Sequence, residues 1–302
     1  MAGAFTVVNL SQLPAPNAVE ALDFETIMAA MLADLQARMQ AAGQPFTALL
    51  ESDPAYKVLE VVAYRELLVR QRANEAVRAV MLAFAQKADL DHIGANYNVP
   101  RLLIKAADDT TIPPTLAVWE SDDDYRARIP VSLESYTTAG SEGSYVYHGL
   151  SAAGTIKDIS AVSPTPGQVV VYVLSRNGDG TASAEEIAAV AAALNAEKVR
   201  PMTDQVSVQS ASIVLYTIDA ELTLYPGPDA DVVKAAAIQS AQAYADSVHR
   251  NGYDVSLSGV YQALHRPGVD RVKLNSPTAN IPVAAGQAPY CTSITVTVAP
   301  NV

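Results

Sequence analysis

Three consecutive carboxylates, Asp122–Asp124, are the residues that first invite a chemical role, as a divalent-cation site or as acid/base groups. Their spacing argues against it. Neighbours on a helix point about 100° apart and do not converge on one ion. Oxygen sites for calcium or magnesium usually spread their ligands over a loop. Ser121, just ahead, is a good N-cap, and carboxylates in a first helical turn oppose the dipole favourably. A structural role is therefore expected, with Asp123 or Asp124 pairing with Arg128 in a surface-grade contact. His92 and His148 are the candidate proton carriers, but neither has a nucleophile or ligand partner near it in sequence. A hydrolase built from Asp122–Asp124 with either histidine would lack a nucleophile elbow, triad-like spacing or a metal motif. The segment SRNGDGTAS, residues 175–183, sets glycines ahead of a helix as phosphate-binding loops do. It lacks the lysine of a P-loop, does not match G-x-G-x-x-G and supplies no EF-hand ligands, so it reads as a tight connection. The expected catalytic, cofactor and metal residues are therefore none.

Bulk properties point the same way. A chain of 302 residues, half of them hydrophobic, can bury a sizeable core in two or three domains. Its net charge of −12 makes it a poor candidate for binding nucleic acid or an anionic membrane. The single cysteine, Cys291, cannot form an internal disulfide, and four histidines without cysteine partners do not suggest zinc. MAGAFTVVNL has neither a basic n-region nor a continuous apolar h-region, and the longest apolar run, Ile187–Leu194, is too short to span a bilayer. Folding in a cytoplasm, with no membrane partner, is expected.

The element that dominates the first hundred residues is a long helix. Ser52 and Asp53 offer caps, Pro54 suits the first turn, and no Gly or further Pro occurs to about Gln86. Leu59, Val62, Glu66, Val69, Ala73, Ala76, Val80 and Ala83 recur at steps of three and four. Two readings follow. The helix is a core element with a solvated, salt-bridged side, or the stripe is a seam against helices of other chains, with Glu66 and an arginine setting register. Upstream, Asn17 or Asp23 caps a helix to about Ala42 that Gly43 and Pro45 end. Downstream, Asp89 caps a short helix to about Asn98, with Leu90, Ile93 and Tyr97 on its buried side.

Residues 101–118, with two adjacent prolines, read as a linker or peripheral arm. A short helix within 140–154 precedes a strand at Ile156–Ile159. The last half repeats a strand–helix theme. QVVVYVL is a strand; Ser183 and Glu186 form a capping box; Val206–Gln209 is a strand. Ile213–Tyr225 is a strand or two, Pro226-Gly227-Pro228 a turn, and Ala230–His249 a helix. Ser258 caps a short helix, and strands at Val269–Leu274 and Ser293–Val298 follow. The expected class is α+β: an N-terminal long-helix region, then split βαβ (ferredoxin-like) modules. The expected divisions are 1–100 (helical), 101–162 (linker and short helices) and 163–302 (α+β).

Several stretches resemble the baseplate J family of contractile-tailed phages and related phage-tail-like bacteriocins. They include LSQLPAP from Leu10, LDFETI from Leu22, YREL from Tyr64, RAVMLA from Arg78, ESDDDYRARI from Glu120, GDGT from Gly178, VRP from Val199, LYPGP from Leu224 and YQALH from Tyr261. Singly these are weak; in one order over nearly the full chain they are strong. The resemblance implies a structural wedge subunit, not an enzyme. It implies an N-terminal helix bundle with a second J-type chain and a companion small wedge protein. Further implied partners are a sheath-initiator-type protein, neighbouring wedges and the central hub or spike. Assembly in the host cytoplasm would precede residence in the baseplate, whose rearrangement releases sheath contraction. The residues expected in the inter-chain bundle are Leu59, Val62, Glu66, Val69, Ala73 and Val80. The alternative expectation is a monomeric binding or adaptor module outside any phage particle.

Overall fold

The computed structural model describes residues 10, 13–14, 16, 21–44, 50–137, 140–227 and 229–299. Asn17, Pro45 and Pro228, named above, lie outside these. The class is α+β, with eight α-helices and eight strands among the described residues. The chain divides into two compact units, Val8–Pro100 and one containing Arg101–Val302.

The first unit is helical. Helix α1, Phe24–Ala41, is capped by Asp23, whose carboxylate accepts from Glu25 N and the Thr26 hydroxyl. Helix α2, Pro54–Ala79, opens with Pro54 in its first turn. Asp53 is the N-cap residue, yet its carboxylate accepts from Leu50 N upstream and makes no cap bond to the helix. At 26 residues α2 is about 39 Å long. It ends before Gln86: residues 81–84 leave the helix as turns, and they line an apolar groove with Leu10, Leu13, Pro14 and Pro16. Helix α3, Lys87–Asn96, consequently starts two residues ahead of Asp89, which sits in its first turn and does not cap it.

In the second unit, β1, Leu103–Lys105, pairs antiparallel with β2, Val118–Trp119, so the proline-containing arm is a hairpin. Its base is braced by helix α4, Asp122–Val131, whose N-cap Ser121 accepts from Asp124 N. A 3-10 helix, Ser132–Tyr136, leads to α5, Glu142–Leu150. Strand β3, Ile156–Val162, then pairs antiparallel with β4, Gln168–Ser175. Strand β4 in turn pairs parallel with β5, Gln205–Ser210, across the crossover helix α6, Ala184–Leu194. Ser183 and Glu186 make the reciprocal capping box. Tyr145, Ile159, Val171, Val173, Val190 and Leu194 form the core between this sheet and its helices.

A second sheet has the order β7-β6-β8. Its centre is β6, Ser212–Leu224, which alternates buried and exposed side chains toward its end. Helices α7, Ala230–Val248, and α8, Leu257–Leu264, intervene before β7, Val269–Ser276, and β8, Gln287–Val298. Strand β7 runs antiparallel to β6 and β8 parallel to it. Ser256, not Ser258, caps α8, because its hydroxyl is the one that reaches Gly259 N. Gly259 is required there: a Cβ would lie 2.4 Å from the Tyr244 ring of α7.

The base of the hairpin holds a buried ion pair. Arg128 donates to Glu120 through Nε at 2.9 Å and Nη2 at 2.6 Å, and both side chains are 3% exposed. The expected partner, Asp123 or Asp124, is not used. Glu120 sits eight residues before Arg128 and also accepts from Leu102 N at 3.2 Å. Two guanidiniums approach the Tyr125 ring, with Arg101 4.6 Å and Arg128 5.5 Å from its centre.

Breaking such a pair from one side strands a buried charge. Arg128→Met is expected to lower unfolding free energy by about 3–5 kcal/mol in urea titration. Adding Glu120→Gln, which keeps an acceptor for Leu102 N, is expected to recover most of that loss. In the same assay Gly259→Ala should cost about 1–3 kcal/mol by overpacking Tyr244.

Candidate functional site

The three aspartates on α4 are each engaged by a different arginine. Asp122 meets Arg101 at 2.8 Å, Asp123 meets Arg126 at 2.6 Å, and Asp124 meets Arg176 at 2.7 Å. The carboxylates diverge as helical geometry requires; Asp122 and Asp124 tie α4 to its surroundings, whereas the Asp123 pair lies within the helix. Arg176 also donates to Gly154 O at 3.1 Å, fastening α4 to the segment before β3. The glycine-rich loop is a tight connection: Asp179 accepts from Thr181 N and Ser175 N bonds Gly180 O at 2.8 Å. His92 is exposed on α3. His148 is half-buried, and burial lowers its pKa. The structure brings neither histidine to the aspartates in any hydrogen bond or ion pair, and no group of three metal-ligating side chains occurs among the described residues.

The feature with functional reach is the surface of α2. Successive residues advance about 100° around the axis, which separates two apolar faces. One carries Tyr56, Leu59, Ala63 and Leu67 and packs on Phe24, Ile27, Met28, Met31 and Leu32 of α1. Asn74 is buried further along that side. The other, about 110° round, carries Val58, Val62, Val69, Ala73, Ala76 and Val80, all exposed. Val62 is 46% exposed, Val69 67% and Val80 76%, high values for apolar side chains on a regular helix.

Of the residues named from spacing, Val62, Val69, Ala73 and Val80 lie on the exposed face, the last as the residue that caps the helix C-terminus. Leu59 lies on the α1 side. Glu66 sits between the faces, half-buried, and accepts from Arg70 Nε at 3.0 Å. Val58 was missed by the sequence reasoning, although it stands one turn ahead of Val62 at the i, i+4 step. Arg65 and Arg72 border the stripe on one side and Glu66 on the other, an apolar strip edged by charge.

Comparison with known proteins gives consistent results. Three family models match in order: the Baseplate J-like N-terminal domain over residues 51–108, the Baseplate J-like central domain over 137–210, and the Baseplate J-like protein C-terminal domain over 216–297. Baseplate protein J of Escherichia phage P2 is 53% identical over 293 residues, covering 96% of this chain and 97% of that protein. Among solved structures, the baseplate of the anti-feeding prophage includes a chain matched over 90% of this one, at 12% identity and a TM-score of 0.30; the match spans 53% of that longer chain. With three domain models in register and more than half of all positions shared with a full-length relative, this chain belongs to the baseplate J family.

Proposed function

We propose that this baseplate protein is a wedge subunit that joins its neighbours through the exposed face of α2 and passes baseplate rearrangement on to the sheath. The observation that carries the reading is the stripe Val58, Val62, Val69, Ala73, Ala76 and Val80 on one side of a 26-residue helix. A regular apolar stripe on an exposed helix is the pattern of a surface that is covered on assembly. Each valine that becomes fully buried contributes on the order of 1.5 kcal/mol. Four of them, with two alanines that allow close approach, contribute part of the energy of a helix contact, the rest coming from the partner surfaces. The natural occupants are helices of a second J-type chain and of a companion small wedge protein, with Glu66 and Arg70 setting register at the edge. Further contacts to a sheath-initiator-type protein, adjacent wedges and the central hub or spike follow from the same role. Assembly takes place in the host cytoplasm. Among the described residues no helix is long and apolar enough to cross a membrane.

The role is mechanical and not hydrolytic. Of the carboxylates that could have served an acid/base reaction, Asp122 and Asp124 are occupied as ties between elements and Asp123 in a surface pair within α4, and the family is one of baseplate structural proteins. Purified chain is expected to release no product from peptidoglycan above a buffer control; sustained turnover would overturn the mechanical assignment.

Val69→Asp puts a carboxylate in the middle of the stripe. It is expected to weaken complex formation with the companion wedge protein by more than tenfold in co-purification. Circular dichroism and the melting transition of the chain alone should be unchanged, because Val69 touches little within the monomer. Recovery of the complex at wild-type yield would remove α2 from the interface.

A further inference from the structure

The central and C-terminal domains of the family divide between residues 210 and 216, where a joint between the two three-stranded sheets would sit. A joint needs a few residues free to change φ and ψ. The backbone here is tied on both sides. Strand β5 ends at Ser210, β6 begins at Ser212, and Ala211 alone stands between them, 4% exposed. Ala211 N donates to Val173 O of the first sheet at 2.9 Å, and Ser212 N donates to Gly286 O, just ahead of β8, at 3.0 Å. The Ser210 hydroxyl accepts from Ala182 N at 2.9 Å. Ala211 is also buried in a small apolar cluster with Leu174 of β4 and Ala288 of β8, against which Ile213 of β6 packs. The connector is thus part of both sheets and of the core between them.

Further contacts close the sheets together away from the connector. Asn251, 3% exposed and just past the end of α7, donates from its backbone N to the Asp158 carboxylate of β3 at 2.8 Å. Its Nδ2 donates to Tyr172 O of β4 at 3.4 Å, and the next residue, Gly252, donates from N to Gln287 O of β8 at 2.9 Å. Two consecutive residues therefore hold three strands drawn from both sheets. Ser160 of β3 donates to Ala285 O at 2.5 Å ahead of β8. Elsewhere the surfaces leave no room for a methyl group. A Cβ on Gly286 would lie 2.6 Å from the Tyr172 ring, and one on Gly180 would lie 2.5 Å from Leu174 Cδ1 and 2.9 Å from His249 Cε1. Close-packed surfaces of this kind pass strain on and do not absorb it.

We infer that the two sheets form one rigid lever with no hinge at the domain boundary, and that the 251–252 loop and the Gly286–Tyr172 contact are its lateral clasp. A rotation imposed on either sheet arrives at the other undiminished. The use of this lever in baseplate rearrangement rests on the wedge function proposed above. The rigidity itself does not, and it is measured on the chain alone, so the two readings fail separately.

Residual dipolar couplings of backbone amides in the full wild-type chain test the lever without any variant. Couplings from β3, β4 and β5 and those from β6, β7 and β8 are expected to fit one alignment tensor of common magnitude and orientation. A smaller magnitude in one sheet, or a different orientation, signifies independent motion and overturns the lever.

Gly286→Leu tests the clasp. The backbone at Gly286 is outside the left-handed region, so the substitution acts by volume against Tyr172. Hydrogen-exchange protection of Asn251 N–H and Gly252 N–H is expected to fall by about tenfold, with the tensors of the two sheets diverging. Wild-type protection and a single tensor in this variant would remove the clasp from the account.

Discussion

A helix of 26 residues exposes more side than one shorter helix can cover, and that mismatch governs the N-terminal unit. Helix α1 has 18 residues and meets α2 along Tyr56, Leu59, Ala63 and Leu67. Beyond Leu67 the intramolecular face turns polar, with Arg70 tied to Glu66 and Asn74 buried. The apolar character does not disappear there; it moves about a third of a turn around the helix to Val69, Ala73, Ala76 and Val80. A monomer optimised for its own stability would keep its valines on the covered side, since each exposed valine forgoes burial energy. Their placement on the open face is the physical basis for proposing that α2 serves assembly.

The second unit answers a different demand. Its acidic residues are numerous, and at α4 they are used as ties in place of ligands. Four arginines, at 101, 126, 128 and 176, meet four carboxylates, at 122, 123, 120 and 124. The pairs differ in weight. Asp123 is almost wholly solvated, so its contact with Arg126 is of the surface kind. Glu120 and Arg128 are enclosed, and their hydrogen bonds must offset a large desolvation cost. What the enclosed pair adds is placement: it fixes the base of the β1–β2 hairpin against α4, with the Tyr125 ring within cation–π reach of both Arg101 and Arg128.

Local signals in the sequence were legible, and distant ones were not. The capping box at Ser183 and Glu186, the Ser121 cap and the β-branched run of β4 depend on residues within four positions, so the pattern carries them. The end of α2 was misplaced because Met81, Leu82 and Ala83 are good helix formers, and nothing local in that run marks the turn the chain makes there. Arg128 was assigned to Asp123 or Asp124 because they stand nearer in sequence; burial selected Glu120. Asp158 and Asn251 are 93 positions apart, and no periodicity links a lone aspartate in a strand to a loop beyond a helix. The exposed stripe of α2 was legible as spacing, but spacing alone could not tell its covered face from its open one. Leu59 and Val58 were separated only by where α1 sits.

The second unit is also continuous in a way that bears on mechanical work. Strands β5 and β6 run from Gln205 to Leu224 with only Ala211 between them, and Ala211 N bonds Val173 O in the first sheet. One nearly unbroken stretch of extended chain is thus an edge strand of the β3-β4-β5 sheet and then the centre of the β7-β6-β8 sheet. Extended backbone transmits displacement along its axis with little compliance, because φ and ψ are already near their limit of reach. Rotation of one sheet against the other is the freedom that such a connection leaves, and resisting it falls to lateral contacts away from Ala211. Ser160 with Ala285 and Asp158 with Asn251 occupy that position. A load on either sheet is therefore carried by covalent chain in one direction and by a few hydrogen bonds in another.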